Sequence, residues 1–112
     1  MSSAIVRIDA DRISDWPTFH AAFVEAFGFP SFYGKNMNAW IDCLTSLDDQ
    51  DAGMTAVHVD VGAVLTLLID HAADFKRRCP EQFAALVDCA AFVNWRRIEA
   101  GASAVLTLAF NV

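Results

Sequence analysis

The chain has 112 residues, of which 55% are hydrophobic and nine are Phe, and its formal net charge is −6. This length is typical of a single domain, residues 1–112, that can bury a core without metals or disulfides. The high apolar content argues against a disordered chain. No apolar run approaches the roughly 20 residues of a membrane span, and the first residues lack the basic start and apolar stretch of a signal peptide.

The first quarter of the chain predicts a strand and a helix. Residues 4–10 (AIVRIDA) alternate apolar and polar side chains, as in a strand with one buried face. Ser14 or Asp15 can cap the following helix, and Gly28 can end it. The apolar stripe of this helix consists of Trp16, Phe19, His20, Phe23 and Phe27.

A turn, residues 31–36 (SFYGKN), leads into a second helix that we expect to run to about Leu47. Gly34 lets the chain turn tightly, and Asn36 can cap the helix. A rotation of about 100° per residue gives this helix a narrow apolar stripe on one side. The stripe consists of Met37, Trp40, Leu44 and Leu47.

The polar side of the second helix carries the candidate functional carboxylate. Asp42 lies near the middle of this side, with Asn38 one turn before it. Ala39 and Ile41 flank it as apolar neighbours, and Ala39 is too small to shield it. A polar helix face is most often only solvated, so the pattern alone leaves both a binding role and a purely solvated face open.

The remaining chain predicts further strands and helices in alternation. The predicted strands are residues 54–59, 64–69 and 104–110, and the predicted helices are residues 71–79 and 80–100. The order of strand, two helices, strand, two helices, strand indicates an α/β fold with parallel strands and right-handed crossovers.

The longest predicted helix carries two aromatic residues outside its main apolar stripe. We place the stripe on Phe83, Leu86, Val87, Ala90, Val93, Asn94 and Ile98. Phe92 and Trp95 point elsewhere, beside Asp88 and Glu99. They either cover the edge of the core or form a surface for self-association or a scaffold partner, and the stripe geometry leaves both open.

An enzyme or a metal site is a weak alternative. Cys43 could act as a nucleophile with a histidine as its base, but it lies toward the buried side of its helix, where cysteine is usually structural. The histidines are isolated in different elements, and no His/Cys pair has ligand spacing. We therefore expect no catalytic residue, no metal and no cofactor. Three cysteines without a close pair suggest free thiols and a cytoplasmic protein.

The segment from Phe32 to Leu44 resembles the barstar family of ribonuclease inhibitors. The family pattern is an aromatic pair followed by Gly, Asn, a small residue and Asp-Cys-Leu. The matching residues, all in register, are Phe32, Tyr33, Gly34, Asn36, Ala39, Asp42, Cys43 and Leu44. The resemblance implies a small three-stranded parallel β-sheet with helix pairs between strands. Residues 54–59 would be an addition, as an extra edge strand beside residues 64–69.

The resemblance also implies a function and a partner, namely inhibition of a basic secreted, barnase-like ribonuclease. The second helix and the turn before it would plug the ribonuclease active site. Asp42 would stand in for a substrate phosphate, because a carboxylate among fixed cationic donors makes charge-assisted hydrogen bonds. The residues that would surround this contact are Phe32, Tyr33, Gly34, Asn36, Met37, Asn38, Ala39 and Ile41.

The chain differs from the family pattern beside Asp42. The family has a tyrosine, an acid, an aspartate and a tryptophan where this chain has Phe32, Lys35, Asn38 and Ile41. The family's last helix adds carboxylates to the interface, whereas Arg96 and Arg97 lie near that place here. The identity of the ribonuclease therefore stays open. The sequence also leaves the oligomeric state open.

The charges are distributed unevenly along the chain. Residues 1–75 carry eleven acids and three bases, a charge of −8, whereas residues 76–112 carry three acids and five bases, a charge of +2. The acidic part would repel nucleic acid and attract a basic partner. It could equally serve solubility alone.

Overall fold

Three strands and four α-helices alternate along the chain in the computed structural model, which describes residues 4–112. The strands are β1 (Ala4–Asp9), β2 (Leu65–Asp70) and β3 (Leu106–Asn111), and the helices are α1 (Trp16–Phe27), α2 (Met37–Thr45), α3 (Ala72–Arg78) and α4 (Pro80–Glu99). Short 3-10 helices span Ala10–Arg12 and Gln50–Ala52. None of the described helices is long and apolar enough to cross a membrane. The predicted α/β class and order of elements are confirmed.

The sheet is parallel and its spatial order, β1-β2-β3, follows the chain. Crossovers between parallel strands are nearly always right-handed, and with this strand order that rule brings both helix pairs to the same face of the sheet. The burial of β1 reflects this arrangement, since Val6 and Ile8 are buried while Ile5 is 61% exposed. The protein is therefore a two-layer structure with one sheet face open to solvent.

An aromatic cluster joins α1 to α2 in the core. Asp15 caps α1 through a capping box with Thr18, which selects Asp15 from the two predicted caps. The α1 stripe is buried as predicted, with Trp16 only partly so. Phe23 of α1 meets Trp40 of α2 edge to face, with ring centroids 5.6 Å apart. Because both side chains are fully buried, this contact fixes the position of α2 against the rest of the molecule.

The predicted extra strand at residues 54–59 is wrong. Both edges of β2 are already paired, with β1 and β3, so no edge beside β2 is free for a further strand. The segment instead crosses the ends of two helices, where Ala56 N donates to Phe27 O at 2.7 Å and Val59 N donates to Leu47 O at 3.0 Å. Its larger apolar side chains are partly buried against the core, which the alternating pattern alone could not distinguish from pairing in a sheet.

The predicted stripe of α4 is too wide. Leu86, Ala90 and Val93 are buried, but Val87 is 37% exposed and Ile98 is 58% exposed. Arg97 is only 7% exposed and therefore lies on the buried face of α4, where the predicted stripe contained no charged residue. The helix therefore presents more apolar surface to solvent than its sequence predicted.

Candidate partner-binding site

The turn before α2 has a well-defined geometry. Tyr33 N donates to Pro30 O at 2.9 Å, and Lys35 has a left-handed backbone with φ 54°. Asn36 is the N-cap of α2 as predicted, because its Oδ1 accepts a hydrogen bond from Ala39 N at 2.8 Å. These contacts hold the turn and the first residues of α2 in one arrangement, which a rigid binding surface requires.

Tyr33 anchors this turn to α1. Its hydroxyl lies 2.6 Å from His20 Nδ1, and both side chains are buried. Burial raises the pKa of the Tyr33 hydroxyl, and burial followed by the charge of Lys35 lowers the pKa of His20. The neutral form of His20 is therefore favoured. Tyr33 therefore holds the turn against α1 from its buried side, a role that the sequence pattern did not predict.

Asp42 and Asn38 lie on the exposed side of α2, as predicted. Of the other predicted contact residues, Phe32 is 73% exposed and Tyr33 and Ile41 are buried, at 8% and 9%. The exposed ones also include Gly34 and Asn36, and the partly buried ones are Met37 and Ala39. The structure thus brings the predicted residues together on one helix and its leading turn, with Asp42 accessible from solvent.

Asp42 is paired with a cation of its own chain. Arg96 Nη1 of α4 donates to Asp42 Oδ1 at 2.6 Å, and the two side chains are 47% and 55% exposed. The pair lies in a shallow groove between α2 and α4, lined by Asn38, Ile41, Asp42, Phe92 and Arg96. The site is therefore a carboxylate–guanidinium pair beside an aromatic ring rather than a lone carboxylate.

Arg97 does not belong to this surface. Its guanidinium donates to both carboxylate oxygens of Asp48, at 3.0 and 2.7 Å, and to the carbonyls of Thr45 and Ser103, each at 2.7 Å. These bonds tie the end of α2 to the end of α4 and to the loop before β3. The two adjacent arginines thus divide their roles, with Arg96 at the candidate site and Arg97 inside the structure.

A catalytic role for Cys43 is disfavoured by its surroundings. The side chain is 2% exposed, and burial, with a further contribution from the charge of Asp42, raises the pKa of the thiol to about 11. Because the thiolate is the reactive form, a thiol with this pKa is a poor nucleophile at neutral pH.

Within residues 4–112, one cluster has the side chains of a cation site, and it is separate from the groove. His71 Nε2 lies 3.5 Å from Asp11 Oδ2 and 3.9 Å from Asp9 Oδ1, with all three side chains about half exposed. Exposed acidic groups commonly lie this close together without an ion, so the cluster does not by itself indicate a metal site.

Comparison with known families supports the sequence resemblance. A family model described as Barstar (barnase inhibitor) matches residues 3–107. This range includes α2, the turn before it and all of α4, and therefore both sides of the groove. No curated protein matches the chain.

Proposed function

The chain belongs to the barstar family of barnase inhibitors, and we propose that it inhibits a basic ribonuclease of the barnase type by covering the enzyme's active site with α2 and the turn before it. Members of this family are inhibitors rather than enzymes. The partner would be a secreted enzyme, and we place the inhibitor in the cytoplasm, where its three cysteines would stay as free thiols.

The observation that carries this proposal is the position of Asp42. It projects from the exposed side of a helix whose opposite side is locked into the core by Trp40 and Leu44, both fully buried. The capped turn holds the start of the same helix. A carboxylate on a rigid helix can enter a cationic pocket without a large loss of conformational entropy, which favours affinity.

The chemistry of the contact follows from what a ribonuclease must bind. An active site that holds an RNA phosphate presents fixed cationic donors, and a carboxylate placed among them makes short, charge-assisted hydrogen bonds. Asp42 would occupy the place of one substrate phosphate. Inhibition then requires only occupancy of the site, and the protein needs no reactive group of its own.

An inhibition assay tests the proposal. Purified protein is titrated into barnase-type ribonucleases with RNA as substrate, and inorganic phosphate is added as a competitor for the same cationic site. We expect the KM for RNA to rise with kcat unchanged, and phosphate to weaken the inhibitor. If micromolar protein inhibits none of these enzymes, the proposed function is wrong.

A further inference from the structure

The α2 helix offers little apolar contact area beside Asp42. Ile41, its apolar neighbour, is 9% exposed. Tight interfaces usually depend on a few large aromatic or arginine side chains at their centre. An interface built on α2 alone would be polar, apart from Phe32 in the turn.

Exposed aromatic area is present on the other wall of the same groove. Phe92 lines the groove with Asp42 and is 44% exposed, and Trp95 is 57% exposed. Their ring centroids are 5.7 Å apart, so the two rings form one patch. The Asp42–Arg96 bond fixes α4 against α2 at this point, which makes the patch continuous with the candidate site.

The charges around the patch indicate its occupant. Asp88, Phe92, Trp95 and Glu99 follow one another at helical spacings of four, three and four residues, so they form one stripe with an acid at each end. Both acids are exposed. On α4, Arg97 is buried and Arg96 is paired with Asp42. The stripe therefore fits an apolar surface with basic side chains around it.

A second copy of the chain is a poor occupant. An antiparallel pair of α4 helices that places Phe92 of one copy on Trp95 of the other also places Asp88 opposite Glu99, because the stripe is symmetric about its centre. Like charges in that position repel. An anionic membrane or a nucleic acid is disfavoured by the same acids.

The resemblance to the barstar family already implies that the last helix reaches the ribonuclease, through carboxylates. We propose that in this chain Phe92 and Trp95 of α4 supply an aromatic anchor at that place, while Asp88 and Glu99 face basic side chains of the enzyme. This inference rests on the proposed function, and it assigns to α4 the apolar contact that α2 lacks.

Affinity measurements with a barnase-type ribonuclease test the inference. Trp95→Ala should weaken binding about tenfold or more if Trp95 is a central anchor. Ile5→Ala is the matched control, because Ile5 is 61% exposed but lies on the open face of the sheet. The control should bind within about twofold of the wild type, as expected for an apolar side chain outside the interface.

Fluorescence gives a second readout. Trp40 is fully buried and Trp16 partly buried, so acrylamide should quench mainly Trp95 in the free protein. We expect the ribonuclease to protect this fluorescence and Trp95→Phe to abolish the protection. Sedimentation of the protein alone shows whether copies associate instead.

The outcomes separate this inference from the proposed function. If Asp42→Ala weakens binding while Trp95→Ala matches Ile5→Ala, the inference is wrong and the proposed function stands. If the wild-type protein binds none of the enzymes, both are wrong. If Trp95 becomes protected in the protein alone as its concentration rises, the occupant is a second copy and the inference is wrong.

Discussion

Asp42 and Arg96 form an ion pair that a partner must accommodate. The bond is short, at 2.6 Å, but both side chains are about half exposed, so the pair contributes little to folding. We expect the pair to affect binding more than folding, because Arg96 places a positive charge where a basic enzyme would bring its own. In the proposed complex, Arg96 would make the site selective, since it would disfavour an enzyme pocket that holds only cations.

Arg96→Gln should tighten binding to a strongly cationic barnase-type ribonuclease by about two- to fivefold, because the substitution frees Asp42 and removes a repulsive charge. Arg12→Gln is the matched control, because Arg12 also forms an exposed ion pair, with Glu25 at 3.4 Å. Titration calorimetry of both variants measures the effect. Weaker binding by Arg96→Gln alone would mean that Arg96 itself bonds to the enzyme.

His20 predicts a pH dependence of stability. Its pKa in the folded protein is lowered, mainly by burial, from the ordinary value of about 6.5. The unfolded chain therefore binds a proton before the folded protein does, and stability falls as pH decreases below about 6.5. Lys35 and the Tyr33 hydroxyl are the groups that face the imidazole.

Urea denaturation at pH 7.5 and pH 5.5 measures this dependence. We expect the wild type to lose stability at the lower pH, and His20→Gln, although less stable at pH 7.5, to lose less over the same interval. Equal losses in the two proteins would show that His20 does not carry the dependence. The same protonation should loosen the turn at Tyr33, which presents Phe32.

At the scale of elements, the position of α2 depends on its contacts with α4. Arg97 bonds to Asp48 and to the carbonyl of Thr45, where α2 ends. The hydrogen bonds from Arg97 hold the pKa of Asp48 below its ordinary value, against the opposing effect of burial. This contribution is present at neutral pH and is lost as pH falls below about 4.

Arg97→Met should destabilise the fold by about 3 kcal/mol, because it leaves Asp48 and two carbonyls without their partner in a nearly buried place. The double variant Arg97→Met with Asp48→Leu should recover part of the loss, since no unpaired charge remains. Chemical denaturation of the wild type, the single variant and the double variant tests both statements. A loss below about 1 kcal/mol for the single variant would place the pair among weak surface contacts.

The elements that the sequence predicted well are those whose signals are local. The caps at Asp15 and Asn36 and the apolar stripe of α1 depend on neighbouring residues, and the structure confirms them. The strand prediction failed at residues 54–59 because the position of this segment depends on residues outside it. Its backbone bonds to Phe27 O and Leu47 O, which are distant in sequence.

The candidate site shows the same division between local and distant signals. The exposed side of α2 follows from helical periodicity, so Asp42 and Asn38 were predictable. The bond from Arg96 to Asp42 joins residues 54 positions apart. The interhelical packing that creates it has no signature in either segment, so the sequence placed Arg96 near the site without revealing its partner.

At the scale of the whole molecule, folding cancels much of the charge asymmetry along the chain. Arg77 and Arg78 pair with Asp74, Arg96 pairs with Asp42, and Arg97 pairs with Asp48. Four of the five bases in residues 76–112 thus neutralise acids of residues 1–75. We therefore expect any attraction for a basic partner to come from the net charge of −6 and not from one strongly acidic half.

The association rate with a basic ribonuclease should fall as salt is added, because salt screens this net charge over about 8 Å at physiological ionic strength. Stopped-flow mixing at low and high salt measures the slope. A rate that does not change with salt would mean that the acidic composition serves only solubility.

The central claim is that Asp42 is the anchor of a ribonuclease contact, and the affinity of Asp42→Ala for a barnase-type ribonuclease tests it most directly. Glu25→Ala is the control, because it removes the same charge from another exposed ion pair, on α1. We predict that Asp42→Ala binds at least about 30-fold more weakly, a loss of about 2 kcal/mol or more, while thermal melts and the control stay near wild type. Wild-type affinity in Asp42→Ala would contradict the account.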